Sequence, residues 1–346
     1  MAKTYLGIDI GHDILKLALV KGGVVKKTAS ASMPVNLLRE GRVTSPDSMG
    51  ALIVQTMKEA HIRATRAAII LSGDISYLRT TTMPRMNAEQ LAFNIPYEFS
   101  DYITGELKSY LFDFAVIPDL PADDAGGSAP ADNPTEDDAA KQQSLQLLVS
   151  AVSGEAMTDL RQTLRKAGMK LEKAAPAECA YISVIRDYEA RTGEHDREYC
   201  ILDLGYRAIR MYMFHGPRHV TTRVLEVGLG SLNEIIAENK GVDTHLAHTY
   251  LLSNFEDCQN ADFCRAAYDN ISVELMRALN FYRFSNPNSQ VNCVWLSGGG
   301  AEILPLRQTI ADTLGIEVRT ADELLRSGAE LTDGFNYVQA IGITLD

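Results

Sequence analysis

The chain is predicted to be an α/β protein of two duplicated halves facing each other across a cleft, with a small subdomain inserted between them. Three short segments carry that expectation. Gly7-Ile8-Asp9-Ile10-Gly11 and Asp203-Leu204-Gly205 each end a β-run on an acidic residue and a glycine, then turn back into a second β-run. Ser297-Gly298-Gly299-Gly300 ends a third β-run and leads into a helical stretch. Two tight turns and a helix entry in that order aim exposed backbone N–H groups at a phosphorylated ligand.

The elements follow in order. β-runs at 5–10, 15–20 and 24–30 are joined by Gly11-His12-Asp13 and Gly22-Gly23, which predicts an antiparallel meander. Ser45-Pro46-Asp47-Ser48 reads as a helix start, with a hydroxyl cap and a proline in the first turn. Leu52, Ile53, Thr56, Met57 and Ala60 then recur at helical spacing, and the apolar run 67–71 reads as a buried strand. This β-β-β-α-β order is the ribonuclease-H-like unit.

The unit recurs. β-runs at 199–203, 209–214 and 219–224 turn at Gly205 and at Gly216-Pro217. A helix at 231–238 follows, then a long amphipathic helix at 270–284 and the strand 291–296 that feeds the triple glycine. A helix at 304–314, a short strand at 316–319 and a short helix at 337–343 close the chain. Between the halves lie a helix (88–99), a β-run (109–117), an acidic Pro/Gly/Ala stretch, a second β-run (144–152) and a helix (154–167). This βαββα-like insertion is too long for a loop. The expected division is 1–79 with 169–196 and 334–346 for the first lobe, 80–168 for the insertion and 197–333 for the second lobe. Residues 118–143 are expected to be a disordered hairpin tip.

With 346 residues the chain can bury two cores. No apolar run is long enough to span a bilayer, and the N-terminus goes straight into a strand, so no secretory leader is expected. Five scattered cysteines without a CxxC pair fit reduced thiols in a cytosol. The net charge is −12, but seven acidic residues fall between Asp119 and Asp138, where there is no Lys or Arg. The remainder is mildly acidic, and no basic patch points to nucleic acid.

The ligand chemistry expected of the cleft is that of a nucleotide. Asp9 and Asp203, one from each half, would hold the waters around a Mg²⁺ bridging the phosphates. Gly298, Gly299 and Gly300 would let the backbone approach the adenosine side. Glu178, after Pro176, is the one nearby candidate for positioning a water, against the reading of an exposed, solvated Glu. His12, His245 and His248 are irregularly spaced and read as surface or capping histidines rather than metal ligands.

The arrangement resembles the actin, Hsp70 and sugar-kinase superfamily. Within it, the chain is similar to the family of the type IV pilus assembly protein PilM along essentially its whole length. The matching segments are the 7–16 opening, Arg79-Thr80-Thr81-Thr82-Met83-Pro84, residues 149–168, and 275–284 before 296–303. The cell-division protein FtsA is similar in layout but carries a C-terminal amphipathic membrane helix, which this chain, ending at Asp346, is read as lacking.

The resemblance implies an actin-like fold that binds ATP with Mg²⁺ between its lobes, through Asp9, Gly11, Lys16, Asp203, Gly205, Arg207, Gly298, Gly299 and Gly300. It also implies a cytoplasmic scaffold on the inner face of the membrane. This would hold the short N-terminal tail of a PilN-like inner-membrane protein in a groove involving the insertion and the first half, with at most weak ATPase activity and no catalytic residue assigned. Three regions depart from the family pattern. His12-Asp13 and Tyr206-Arg207 stand where small residues are expected, and Ala247-His248-Thr249-Tyr250-Leu251 lacks the usual Glu and Lys of the nucleotide site. Asp13 would carry negative charge towards phosphate, while Arg207 would pair with phosphate or block the pocket. Pro34-Val35-Asn36-Leu37-Leu38-Arg39 resembles the Asn-Leu-Leu core of such tails, which raises self-docking against local packing. The competing functions are an ATP-dependent phosphotransferase or ATPase of the superfamily and an FtsA-like filament protein.

Overall fold

One strand order is used twice in this chain, as the computed structural model shows for residues 3–117, 144–195, 197–326, 331 and 333–345. The meander is β1 (Thr4–Ile10), β2 (Ile14–Lys21) and β3 (Val24–Ser32). Its second turn places Gly22 and Gly23 at φ 58° and 75°, left-handed conformations that cost glycine little. A two-residue hairpin, β4 (Leu38–Arg39) with β5 (Arg42–Val43), leads to α1 (Pro46–Glu59) and β6 (Arg66–Leu71). Ser45 caps α1, its hydroxyl accepting the Ser48 N–H at 3.3 Å, with Pro46 in the first turn as expected.

After β6 come β7 (Ser76–Pro84), α2 (Ala88–Asn94), β8 (Tyr110–Val116) and β9 (Ser144–Ser153), which form the insertion, and α3 (Gly154–Lys166), which packs on α1 in the first-lobe core. The three strands of the insertion form an antiparallel sheet ordered β7-β9-β8. The helix expected over 88–99 is shorter, because Pro96 turns its last residues into a 3₁₀ segment, Ile95–Phe99. Residues 118–143, expected to be a disordered tip, lie outside the described residues.

The chain returns to the first sheet as β10 (Lys170–Pro176) and crosses through α4 (Ala177–Thr192). The second lobe follows as β11 (Glu198–Leu204), β12 (Ile209–His215), β13 (Arg218–Leu225), α5 (Leu229–Lys240), α6 (Thr244–Ser253) and α7 (Asp262–Ser285). It closes with β14 (Cys293–Ser297), α8 (Leu304–Leu314) and β15 (Glu317–Thr320), before α9 (Val338–Gly342) packs back on the first sheet. The sheets read β3-β2-β1-β6-β10 and β13-β12-β11-β14-β15, each an antiparallel meander extended by two parallel strands.

The lobes share a core. Tyr181 and Ile185 of α4 and Ala340 and Ile341 of α9 are buried with Val20 of the first sheet and Ile201, Tyr212 and Trp295 of the second. A helix wrapped by both lobes is apolar on more than one side; here α4 buries Ala180, Tyr181, Ile182, Val184 and Ile185 in succession. Gly7 serves the same packing, since a Cβ there would collide with the Ala340 carbonyl. Leu37 is 7% exposed within the first-lobe core, while Val35 is 88% exposed. The Asn-Leu-Leu segment therefore packs locally, and the self-docking expectation loses its anchor. Among the described residues no helix is long and apolar enough to cross a membrane.

Candidate functional site

The two lobes meet at a cavity of about 110 Å³ beneath the paired hairpins. Its walls include Asp9, Gly11, Lys16, Asp203, Gly205, Arg207 and Gly299, so seven of the nine residues expected at the ligand converge there. The hairpins are duplicates in detail. Asp9 lies opposite Lys16 in the β1–β2 register, and Asp203 lies opposite Arg210 in the β11–β12 register. Each turn needs its glycine, because a Cβ on Gly11 would press on the Ile14 carbonyl and one on Gly205 on the Ala208 carbonyl. Arg210 was not singled out from the sequence, although it follows Asp203 at the interval that separates Lys16 from Asp9.

Each carboxylate already has a partner. Lys16 Nζ lies 3.4 Å from Asp9 Oδ2, with both side chains 14% exposed. Burial pushes the Asp9 carboxyl up, against the pull of Lys16 and with the push of Asp203. Burial disfavours the Lys16 ammonium, but the Asp9 and Asp203 charges together outweigh it and hold Lys16 above its ordinary value. Asp203 Oδ2 accepts from Gln339 Nε2 at 2.9 Å, and Gln339 also donates to the Tyr181 hydroxyl at 3.0 Å.

Residues of the two hairpin turns make ion pairs across the cleft. Asp74, in the loop after β6, has Oδ2 3.3 Å from Arg207 Nη1 and Oδ1 3.2 Å from Arg210 Nη2. His12 Nε2 stands 3.2 Å from the same Asp74. The neighbouring His12, against the cost of burial and with the aid of Arg210 and Arg207, holds the Asp74 carboxyl below the usual range. Asp13 turns to the opposite lobe, its Oδ2 3.3 Å from His248 Nε2, while Asn233 lies 3.2 Å from His248 Nδ1. The expectation that His12 and His248 are plain surface or capping residues is thereby corrected; His245 is exposed.

Two of the three glycines at 298–300 have reasons within the chain. Gly298 sits at φ 82°, and a Cβ there would collide with Asp203 Oδ1; a Cβ on Gly300 would press on Leu204 at 2.6 Å. Gly299 has only Leu229 Cδ1 near, at 3.6 Å, and is the one of the three that lines the cavity. The first N–H groups of α5 are taken by protein carbonyls: Leu229 N donates to Gly205 O at 3.1 Å and Gly230 N to Tyr206 O at 2.8 Å. Glu178 does not sit on a solvated face. The first turn of α4 packs against β13, where the Thr222 hydroxyl donates to Glu178 Oε1 at 2.9 Å, and burial raises the Glu178 carboxyl. It is not among the residues lining the cavity.

A second concavity, of about 300 Å³, lies between the insertion and the first lobe. Its floor is one face of the inserted sheet, where Leu111, Asp113 and Ala115 of β8 stand opposite Val152, Ser150 and Leu148 of β9. Met157 of α3, Ala174 of β10 and Cys179 of α4 form the facing wall. Burial, with the nearby carboxylates of Glu178 and Asp113, pushes the Cys179 thiol up to about 11, so it is an unreactive wall group. No motif marked these residues; the alternation along 110–116 is what puts them on one face.

The family described as Type IV pilus assembly protein PilM matches residues 7–328. The chain belongs to that family. It is similar to the solved structure of a PilM-PilN type IV pilus biogenesis complex, with 25% identity, a TM-score of 0.79, and 98% of this chain and 97% of that chain covered. The ethanolamine utilization protein EutJ of Carboxydothermus hydrogenoformans shares the fold at 12% identity and a TM-score of 0.58, covering 99% of this chain and 89% of that one. MreB 5 of Spiroplasma citri, solved bound to AMPPNP, shares it at 11% identity and a TM-score of 0.52, with 98% and 94% covered. The actin-like architecture and the type IV pilus family expected from the sequence both stand.

Proposed function

We propose that this PilM-family chain is a scaffold of a type IV pilus or related secretion machine, recruited to the inner face of the cytoplasmic membrane by a PilN-like partner. The partner's short N-terminal tail would dock in the groove between the insertion and the first lobe. The observation that carries this reading is the near end-to-end likeness to the PilM-PilN complex, at a TM-score of 0.79. The groove supports it physically. Its space is at the lower end of the roughly 300–1,000 Å³ of small-ligand sites, and its lining residues are apolar apart from Asp113 and Ser150. A few buried side chains and added main-chain bonds hold short tails in such grooves. Neither the phosphotransferase nor the FtsA-like filament reading is favoured beside a PilM match over 7–328.

For the cleft, we infer a nucleotide site that is braced shut. The donors suit the phosphate end of a nucleotide: Asp9 and Asp203 would hold Mg²⁺ through water, and Lys16, Arg207 and Arg210 would face phosphate oxygens. Bound Mg²⁺ would supply charge neutralisation there. The present space of about 110 Å³ falls short of a whole nucleotide. Asp74 occupies Arg207 and Arg210, so an incoming phosphate must displace it. Glu178 is held by Thr222 and offers nothing to an attacking water.

The test is titration of the protein with a labelled peptide copying the N-terminal cytoplasmic segment of its PilN-like partner, alongside an ATPase assay. Saturable binding that Leu148→Asp abolishes, without multiple turnover of ATP, is expected. Rapid turnover, or binding indifferent to Leu148→Asp in a folded variant, contradicts the reading.

A further inference from the structure

The docking groove carries one charged side chain, Asp113, in the middle of an otherwise uncharged lining. Its cross-strand neighbour is Ser150, and Leu111 and Ala115 flank it on the same face of β8. Leu78 of β7 lies beyond Ser150 in the register and continues the apolar floor. The alternate residues Phe112 and Phe114 point to the other face, where Phe112 meets Phe99 with ring centroids 5.5 Å apart. Among the described residues Asp113 makes no ion pair. Its Oδ1 accepts a local bond from the Phe114 N–H at 2.8 Å. Lys173, whose charge like that of Asp113 is felt at Cys179, donates to the Leu345 carbonyl at 3.1 Å.

β8 is also an edge. The order β7-β9-β8 leaves one side of its backbone without a sheet partner among the described residues. An extended segment laid along such an edge repeats its side chains every two residues on one face, about 6.6–7 Å apart. Taking the groove as the tail-docking site proposed above, we propose that Asp113 selects a basic side chain in the docked tail. The recognised pattern is apolar–x–Lys/Arg–x–apolar, with the apolar residues over Leu111 and Ala115 and the cation on Asp113. A tail bearing Asp or Glu at the central position would be repelled.

The experiment is a display library of seven-residue segments with a free N-terminus, selected against the full chain and against Asp113→Asn, Asp113→Lys and Leu78→Asp. Selection by the wild-type chain of segments with a central Lys or Arg is expected. The preference should vanish in Asp113→Asn and turn to Asp or Glu in Asp113→Lys, with each matched segment favoured about fivefold. Apolar segments selected equally by all three Asp113 forms would overturn the charge selection and leave the groove intact. Selection unaffected by Leu78→Asp, in a variant with an unchanged melting profile, would overturn the groove itself.

Discussion

Asp13 on the first lobe and His248 on the second stand with Oδ2 and Nε2 3.3 Å apart, so this pair ties the lobes to each other. Both are partly exposed, and such pairs couple by about 0.2–1 kcal/mol. A double-mutant cycle with Asp13→Asn and His248→Gln, read by urea unfolding, should return a coupling in that range. Strict additivity would show that the contact contributes nothing.

Asp74 is the stronger brace, because it faces His12, Arg207 and Arg210 together. Asp74→Ala should cost about 1 kcal/mol and free two guanidinium groups. A fluorescent ATP analogue with Mg²⁺ should therefore bind the variant more tightly than the wild type. Equal affinity contradicts the brace. The Asp74 carboxyl is depressed in the folded state, so its contribution is full above its ordinary value and lost as pH falls through the lowered one.

His219 lies beneath Phe214, with its Nε2 2.8 Å from Thr222 Oγ1, and burial lowers its pKa from 6.5 to about 4. The unfolded chain takes up this proton first, so stability falls as pH drops from about 6.5 to 4. The full contribution is roughly 3 kcal/mol. Unfolding free energies at pH 7, 5.5 and 4.5 should show the decline, and His219→Gln should flatten it. An identical slope in the variant would assign the decline elsewhere.

The triple glycine separates into structural and lining positions. Gly298→Ala meets both φ 82° and Asp203, and should destabilise by about 2–4 kcal/mol. Gly299→Ala meets ordinary contact and should stay within about 0.5 kcal/mol. Thermal melts of the two variants check this, and equal losses would contradict it.

The duplicated hairpins were legible because glycine turns and alternating apolar residues are local signals, and they placed Asp9 and Asp203 on one cavity. Arg210 was available from the same register that pairs Asp9 with Lys16, but reading it requires treating the second hairpin as a copy of the first. Asp74 has no local signal at all; its role arises from the tertiary approach of the 72–75 loop to β12. Glu178 was misread because solvation of a helix face depends on what packs there, and β13 does. β10 escaped notice because Lys170-Leu171-Glu172-Lys173 lacks a strand's apolar run, its pairing with β6 being decided by the sheet.

The proposed docking groove is tested most directly by site-specific photocrosslinking in the assembled machine. A benzophenone side chain at Leu111, on the groove floor, should capture a membrane protein through its short cytoplasmic tail, whereas one at Phe284, at the far end of α7, should not. Capture from position 284 with none from 111 would contradict the assignment.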